Sequence, residues 1–179
     1  NTDLQIDSGV KEIFTTGSAF AALKEDGSVA TWGNSSLGGD SSSVSSELTS
    51  GVTQIFATSI AFAALKDDGS VVTWGGSDGS VNSVSSQLSS DVNQIFTNWN
   101  SFAALKNDGS VITWNDAFSG GDSSDVSYQL QGGIIDISST ASAFAALKED
   151  GSVVTWGNIF AGGNSSFVSH QLQTGVSQI

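Results

Sequence analysis

The chain has no cysteine, proline, methionine or arginine, and a single histidine. Without cysteine there is no disulfide framework, no thiolate metal site and no thiol nucleophile, though the redox compartment stays open. Positive charge is scarce: five lysines face 18 acidic residues, a net charge of −13 over 179 residues. Such a chain repels a phosphate backbone or an anionic membrane surface. No nucleic-acid partner is expected, and neutral or basic surfaces, or cations, are the fitting partners. No apolar run approaches the ~20 residues that span a bilayer, so no membrane insertion is expected. Hydrophobic residues make up 38%, enough for a core, and the length suits one domain or a piece of one.

What the chain does have is a repeat. Ala-Phe-Ala-Ala-Leu-Lys, then Asp-Gly-Ser-Val and Thr-Trp, runs almost unchanged from Ala19 to Trp32, Ala61 to Trp74, Ser101 to Trp114 and Ala143 to Trp156. Lys24, Lys66, Lys106 and Lys148 lie 42, 40 and 42 residues apart. A period near 40 marks a repeat architecture in which each unit buries its apolar surface against its neighbours. The units are approximately 8–49, 50–89, 90–131 and 132–173, with a partial fifth at 174–179. A start at Asn1 and a stop inside a fifth unit are expected of a mature product or an excised part of a longer protein. The acidic, Ser/Gly/Asn-rich composition goes with bacterial proteins that are extracellular or attached to the cell surface.

Within the first unit, Val10, Ile13 and Phe14 mark a first strand, Ala19–Lys24 a second and Ser28–Trp32 a third. Asp26-Gly27 between the last two predicts a hairpin with a type I′ turn, repeated at Asp68-Gly69, Asp108-Gly109 and Asp150-Gly151. Phe20 and Ala22 point opposite to Ala21 and Leu23, and neither strand alternates apolar with polar. Both faces must be covered, and with no helical sequence to do it, sheet covers sheet. The expected fold class is all-β: propeller-type blades in four tandem repeats of about 42 residues. The pairs Val44/Leu48, Val84/Leu88, Val126/Leu130 and Val168/Leu172 suit either a serine-capped helical turn or a short outer strand.

The order Val-x-x-Ile, then Ala-Leu-Lys-x-Asp-Gly-x-Val-x-x-Trp-Gly, then a Gly-rich loop resembles the repeat of the regulator of chromosome condensation superfamily. The short period is closest to its compact bacterial members, among them a propeller-type β-lactamase inhibitor. The resemblance covers Ile6 to Ile179 and implies a β-propeller, usually seven-bladed. Phe or Ser-Phe replaces the usual Gly-x-x-His before Ala-Leu, and Asn115 replaces the Gly after Trp.

Four blades in an open row would expose two apolar end faces. Closure is therefore expected, through a homodimer that completes an eight-bladed ring by pairing segments Asn1–Ile6 and Val176–Ile179. A closed four-bladed monomer or further repeats are the other solutions.

Nothing in the sequence assembles a catalytic site. His170 aligns with Ser46, Ser86 and Tyr128, a freely varying position, and no other base is placed to activate a serine. The acidic hairpin tips and the Gly38-Gly39-Asp40 and Gly120-Gly121-Asp122 loops offer oxygens to Ca²⁺. Turn chemistry accounts for the tips, and the loops lack a Gly-x-Gly-x-Asp spacing, so no metal and no cofactor is expected. Trp32, Trp74, Trp114 and Trp156, constant among units, read as blade-to-blade core. Variation points elsewhere, to the loop between strands one and two and the loop after strand three, which includes Leu37 and Asp78. There Ile60, Asn98, Trp99, Asn100, Phe118, Ile159 and Phe160 are the candidate binding residues. A non-enzymatic binding or structural module is expected, with an unidentified protein or surface ligand as partner. A Ca²⁺-stabilised adhesin spacer is the rival class, and an enzyme-inhibitor-like propeller is implied by the resemblance alone.

Overall fold

A computed structural model describes residues 8–76 and 84–179. Among the described residues twelve strands form four separate three-stranded antiparallel sheets, each in simple sequence order. Blade 1 contains β1 (Val10–Thr15), β2 (Ala19–Lys24) and β3 (Val29–Gly33); blade 2 contains β4 (Val52–Ala57), β5 (Ala61–Lys66) and β6 (Val71–Gly75). Blade 3 contains β7 (Val92–Thr97), β8 (Ser101–Lys106) and β9 (Val111–Asn115); blade 4 contains β10 (Ile134–Ser139), β11 (Ala143–Lys148) and β12 (Val153–Gly157). Four propeller blades at the repeat period are what the sequence predicts.

The hairpins form at the Asp-Gly pairs, but by another turn. Gly27 N–H donates to Lys24 O and Lys24 N–H to Ser28 O, and Gly27 alone takes positive φ, at 76°. This is a three-residue loop, a type I turn closed by a left-handed glycine, rather than the expected type I′. Asp26 stays at negative φ because its carboxylate is used: Oδ1 accepts from Ser28 N–H (3.0 Å) and Oγ–H (2.6 Å). The same pair of bonds recurs at Asp68, Asp108 and Asp150.

Side-chain parity builds the blade-to-blade joints. Phe62, Ala64, Val72 and Trp74 of blade 2 face Ala19, Ala21 and Leu23 of blade 1, with Leu48 closing the edge. The arrangement repeats between blades 2 and 3 and between blades 3 and 4. In each blade a Phe stacks on the cross-strand Trp, with centroids 5.0–5.3 Å apart. Hydrogen bonds pin all three joints at the hairpin side and two of them on the opposite side as well. Val52, Val92 and Ile134 N–H donate to Gly27, Gly69 and Gly109 O, all at 3.0 Å. On the opposite side, Trp74 Nε1–H donates to Gly38 O and Trp156 Nε1–H to Gly120 O, both at 3.0 Å.

The ends differ from the middle. Val10, Ile13 and Phe20 are 36%, 53% and 42% exposed, against 0–5% at the equivalent positions of blades 2 to 4. On blade 4, Ala145 and Leu172 are half-buried and Val168 is exposed. Among the described residues no core joins blade 4 to blade 1, so the row stays open.

The tails of the first, third and fourth units are 3₁₀ turns, at Ser42–Val44, Ser124–Gln129 and Ser166–Gln171. The serines Ser41, Ser123 and Ser165 occupy the cap position without a side-chain bond. Asp40, Asp122 and Asn164, one residue earlier, accept from Ser42, Ser124 and Ser166 N–H instead, at 2.9 Å. Each tail then lends one carbonyl to the sheet edge, Leu48 O accepting from Val29 N–H at 2.9 Å. It thereby fills part of the role of an outer strand.

Candidate functional site

The two ends of each blade differ in how they use sequence. The hairpin end is constant, with one Asp-Gly-Ser turn per blade. There, the Ser28 hydroxyl and then its backbone N–H hold the Asp26 carboxyl below its usual 3.8, as do Ser70 for Asp68, Ser110 for Asp108 and Ser152 for Asp150. A lowered folded-state pKa gives stability that is present above 3.8 and is lost as pH falls through the folded value. The thermal midpoint is therefore expected to decline below 3.8, after holding or rising on approach as the −13 charge is relieved. Replacing all four aspartates with asparagine should flatten that decline; an unchanged acid limb would mean the turns do not cause it.

The opposite end carries the variable loops, and the structure ties both sets together there. Thr16 Oγ1–H donates to Leu37 O (2.9 Å), Asn98 Nδ2–H to Ser119 O (2.6 Å) and Thr140 Oγ1–H to Ala161 O (2.8 Å). A backbone ladder crosses from blade to blade: Gly17 N–H to Ser59 O, Ser59 N–H to Trp99 O and Trp99 N–H to Ala141 O, at 2.7–3.2 Å. The loop after strand three is a short turn clamped by an Asx cap, Asp116 Oδ1 accepting from Phe118 N–H and Asn158 Oδ1 from Phe160 N–H.

The candidate residues divide on this frame. Trp99 and Phe118 are each 69% exposed, Ile159 61% and Phe160 91%, although their backbones are fixed. Phe118 and Phe160 hold the same position of successive blades, where blade 1 has Ser36. Asn98 is buried and occupied, its Oδ1 accepting from the N–H groups of Asn100 and Ser101. Asn100 is half-buried; its Oδ1 accepts from Ser59 Oγ–H and its backbone O from Asn115 Nδ2–H. Ile60 packs against the joint between blades 2 and 3. Asp78 lies outside the described residues.

Sequence reasoning missed Tyr128, 72% exposed, and Phe167, 93% exposed, both in the 3₁₀ tails. The positions aligned with Tyr128 hold Ser or His and those aligned with Phe167 hold Ser or Asp, the same signal that marked Trp99. His170 is exposed, its ring beside Gln171 Nε2. Among the described residues no three His, Asp or Glu side chains converge on a metal-sized site, and no helix is long and apolar enough to cross a membrane. Shallow grooves line the outer edge of the third strand in blades 1, 3 and 4, bordered by Ser and Asp together with Val, Leu and Thr; they follow from the shared blade geometry.

No protein-family model and no curated protein matches the sequence. Solved structures do match. Prp20p from Saccharomyces cerevisiae superposes with a TM-score of 0.55 at 18% identity, over 87% of this chain and 46% of that one. The fold is that of the RCC1-type β-propeller. Human WBSCR16 gives 0.50 at 19% identity, covering 86% of this chain and 48% of its own. The CRINKLY WD40 ectodomain of the Arabidopsis thaliana receptor kinase ACR4 gives 0.52 at 17% identity, covering 84% and 51%. The chain thus spans about half the length of these solved structures.

Proposed function

We propose that the chain is a non-enzymatic recognition module that engages a protein or surface ligand through its variable loop face. The observation carrying this is the set Trp99, Phe118, Ile159 and Phe160: large apolar side chains exposed on clamped backbones, at one end of the blades. Holding an aromatic still before binding reduces the entropy lost on binding, which is how anchors on rigid scaffolds gain affinity. Among the described residues the four Asp-Gly-Ser turns themselves carry no such side chain, and Ile135, 54% exposed, is the nearest large apolar group at that end. Similar propellers use the fold for protein contacts: Prp20p is described binding Gsp1p and histones, and bound to Kap60. With a net charge of −13, this chain favours a basic or neutral partner, and its composition fits an extracellular or cell-surface setting. In the same reading two copies complete an eight-bladed ring as a homodimer, because each copy leaves one apolar face open at either end.

The test is the triple variant Trp99→Ala/Phe118→Ala/Phe160→Ala on arrays of purified proteins and glycans, beside Glu25→Ala/Asp67→Ala/Glu149→Ala at the constant end. Exposed sites of this kind change stability by only about 0.5 kcal/mol each. Binding of array ligands should fall at least tenfold in the first variant and persist in the second. Ligands held equally by both variants, or lost only from the second, would contradict the assignment.

A further inference from the structure

We propose that the open faces of blades 4 and 1 are two halves of one joint, and that a second copy's blade 1 docks on blade 4 in the register of the three internal joints. The inference rests on the homodimer reading above and names the contact that makes it. Each internal joint sets a Phe/Trp stack with an Ile against the alanines and leucine of the preceding blade. Blade 1 presents that first half uncovered in Phe20, Trp32 and Ile13. Blade 4 carries the second half in Ala143, Ala145 and Leu147; Ala143 and Leu147 are already buried at 2% exposure, whereas Ala145 is half-buried where Ala21, Ala63 and Ala103 are fully buried.

The polar groups left over match as well. The loop of a preceding blade folds over the next one and gives a carbonyl to its tryptophan, at Gly38 for Trp74 and Gly120 for Trp156. Gly38 and Gly120 are buried there, whereas the equivalent Gly162 is exposed. Trp32 Nε1 has no acceptor among the described residues. A docked copy sets the Trp32 donor against the Gly162 carbonyl. It also sets its Gly17 loop beside Ala141, extending the ladder that runs Gly17, Ser59, Trp99, Ala141.

One segment occupies the seat already. Val176 N–H donates to Gly151 O at 3.1 Å, the bond made in the internal joints by Val52, Val92 and Ile134. Val176–Ile179 thus stands where Val10–Ile13 of the incoming copy must lie. The incoming β1 arrives already paired to β2, and it displaces a segment held at this contact by one backbone bond. The joint consequently forms by replacing Val176–Ile179, not by pairing through it as the sequence suggests.

The two faces are different, so they can be blocked separately. Ile13→Glu disables the blade 1 face and Ala145→Glu the blade 4 face; both sites are already exposed or half-exposed, and circular dichroism checks that each variant folds. Light scattering on the full chain should give twice 18.3 kDa for the unmodified protein and 18.3 kDa for each variant alone. An equimolar mixture of the two variants should return to twice that mass at high concentration, because one intact joint is restored. If Ala145→Glu alone still dimerises, the contact is blade 1 against blade 1: the proposed joint fails while the dimer stands. If the unmodified chain weighs 18.3 kDa at all concentrations, the homodimer reading fails with it. Larger multiples, with both variants monomeric, keep the joint and remove the two-chain ring. Deleting Val176–Ile179 should leave the dimer intact or tighter, and its loss would overturn the displacement. Trp32→Phe should weaken association about fivefold per joint, about 25-fold for a ring that contains the joint twice, through the lost hydrogen bonds; no change would place Trp32 outside the joint. Since both partners are acidic, added salt should strengthen association; weakening by salt would contradict an apolar joint.

Discussion

Replacing Phe102 with alanine is expected to destabilise the chain by about 3–5 kcal/mol, the usual cost of emptying a buried phenylalanine site. Its ring is fully buried, stacks on Trp114 at 5.0 Å and lies in the joint between blades 2 and 3. The alanine would leave a cavity bounded by strands on both sides, with no flexible element to collapse into it. Phe20 is followed by the same Ala-Ala-Leu-Lys and makes the same stack, on Trp32 at 5.1 Å, but is 42% exposed. Phe20→Ala in dilute solution should therefore cost no more than about 1 kcal/mol, since most of the cavity term is absent. Urea denaturation of the two variants, monitored by tryptophan emission, measures the difference. Equal costs would mean that blade 1 is covered as its siblings are. At concentrations where copies associate, Phe20→Ala should become more costly, because the joint it serves is then filled.

Gly121→Ala should have the second large effect, about 2–4 kcal/mol, in the range of substitutions that strain the backbone or break a buried network. A Cβ there would lie 2.4 Å from Asn115 O and 2.6 Å from Asn115 C, both backbone atoms. The loop cannot retreat without cost. Gly121 N–H donates to Asp116 O, Thr113 Oγ1–H donates to Gly121 O, and the adjacent Gly120 O holds Trp156 Nε1–H. The added methyl thus lifts the loop that carries Phe118 away from blade 4, linking stability to the recognition face. A red shift in tryptophan emission should accompany the loss. Gly132→Ala is the matched control: its Cβ would lie 3.5 Å from Asp108 O, ordinary contact, so the midpoint should barely move. A variant at Gly121 as stable as that control would show the loop to be freer than its hydrogen bonds imply.

The blades were legible because parity and period are properties of the chain itself. Phe20 and Ala21 could only face opposite ways, and neither face had a polar set to give to water, so stacked sheets followed. The turn type was not legible from Asp-Gly alone. The serine after each glycine occupies the aspartate side chain, which favours a type I turn closed by Gly27 over type I′. Asn115 in place of glycine was readable as a departure, and its φ of 82° explains it, since asparagine tolerates the left-handed region better than most residues.

At the loop face, position alone could not separate ligand-facing from scaffold residues. Asn98 looked individual, yet it aligns with Thr16, Thr58 and Thr140, and each of these side chains bonds within its own turn. A column holding only Thr or Asn was the available sign of a capping role. Trp99 has no such column: its equivalents are Gly17, Ser59 and Ala141, which share only a backbone ladder that leaves the side chain free to vary. The tail was ambiguous for a physical reason as well. Its 3₁₀ turn lends a carbonyl to the sheet edge, so it does part of the work of each alternative.

The most direct test of an open row of four equivalent blades is hydroxyl-radical footprinting of Phe20, Phe62, Phe102 and Phe144 across a dilution series. In dilute solution Phe20 should oxidise readily while the other three, at most 1% exposed, stay protected. As concentration rises into the range of association, Phe20 should become protected in its turn. Protection of Phe20 equal to the others at every dilution would show that the first and last blades already meet within a single chain, and would contradict the account.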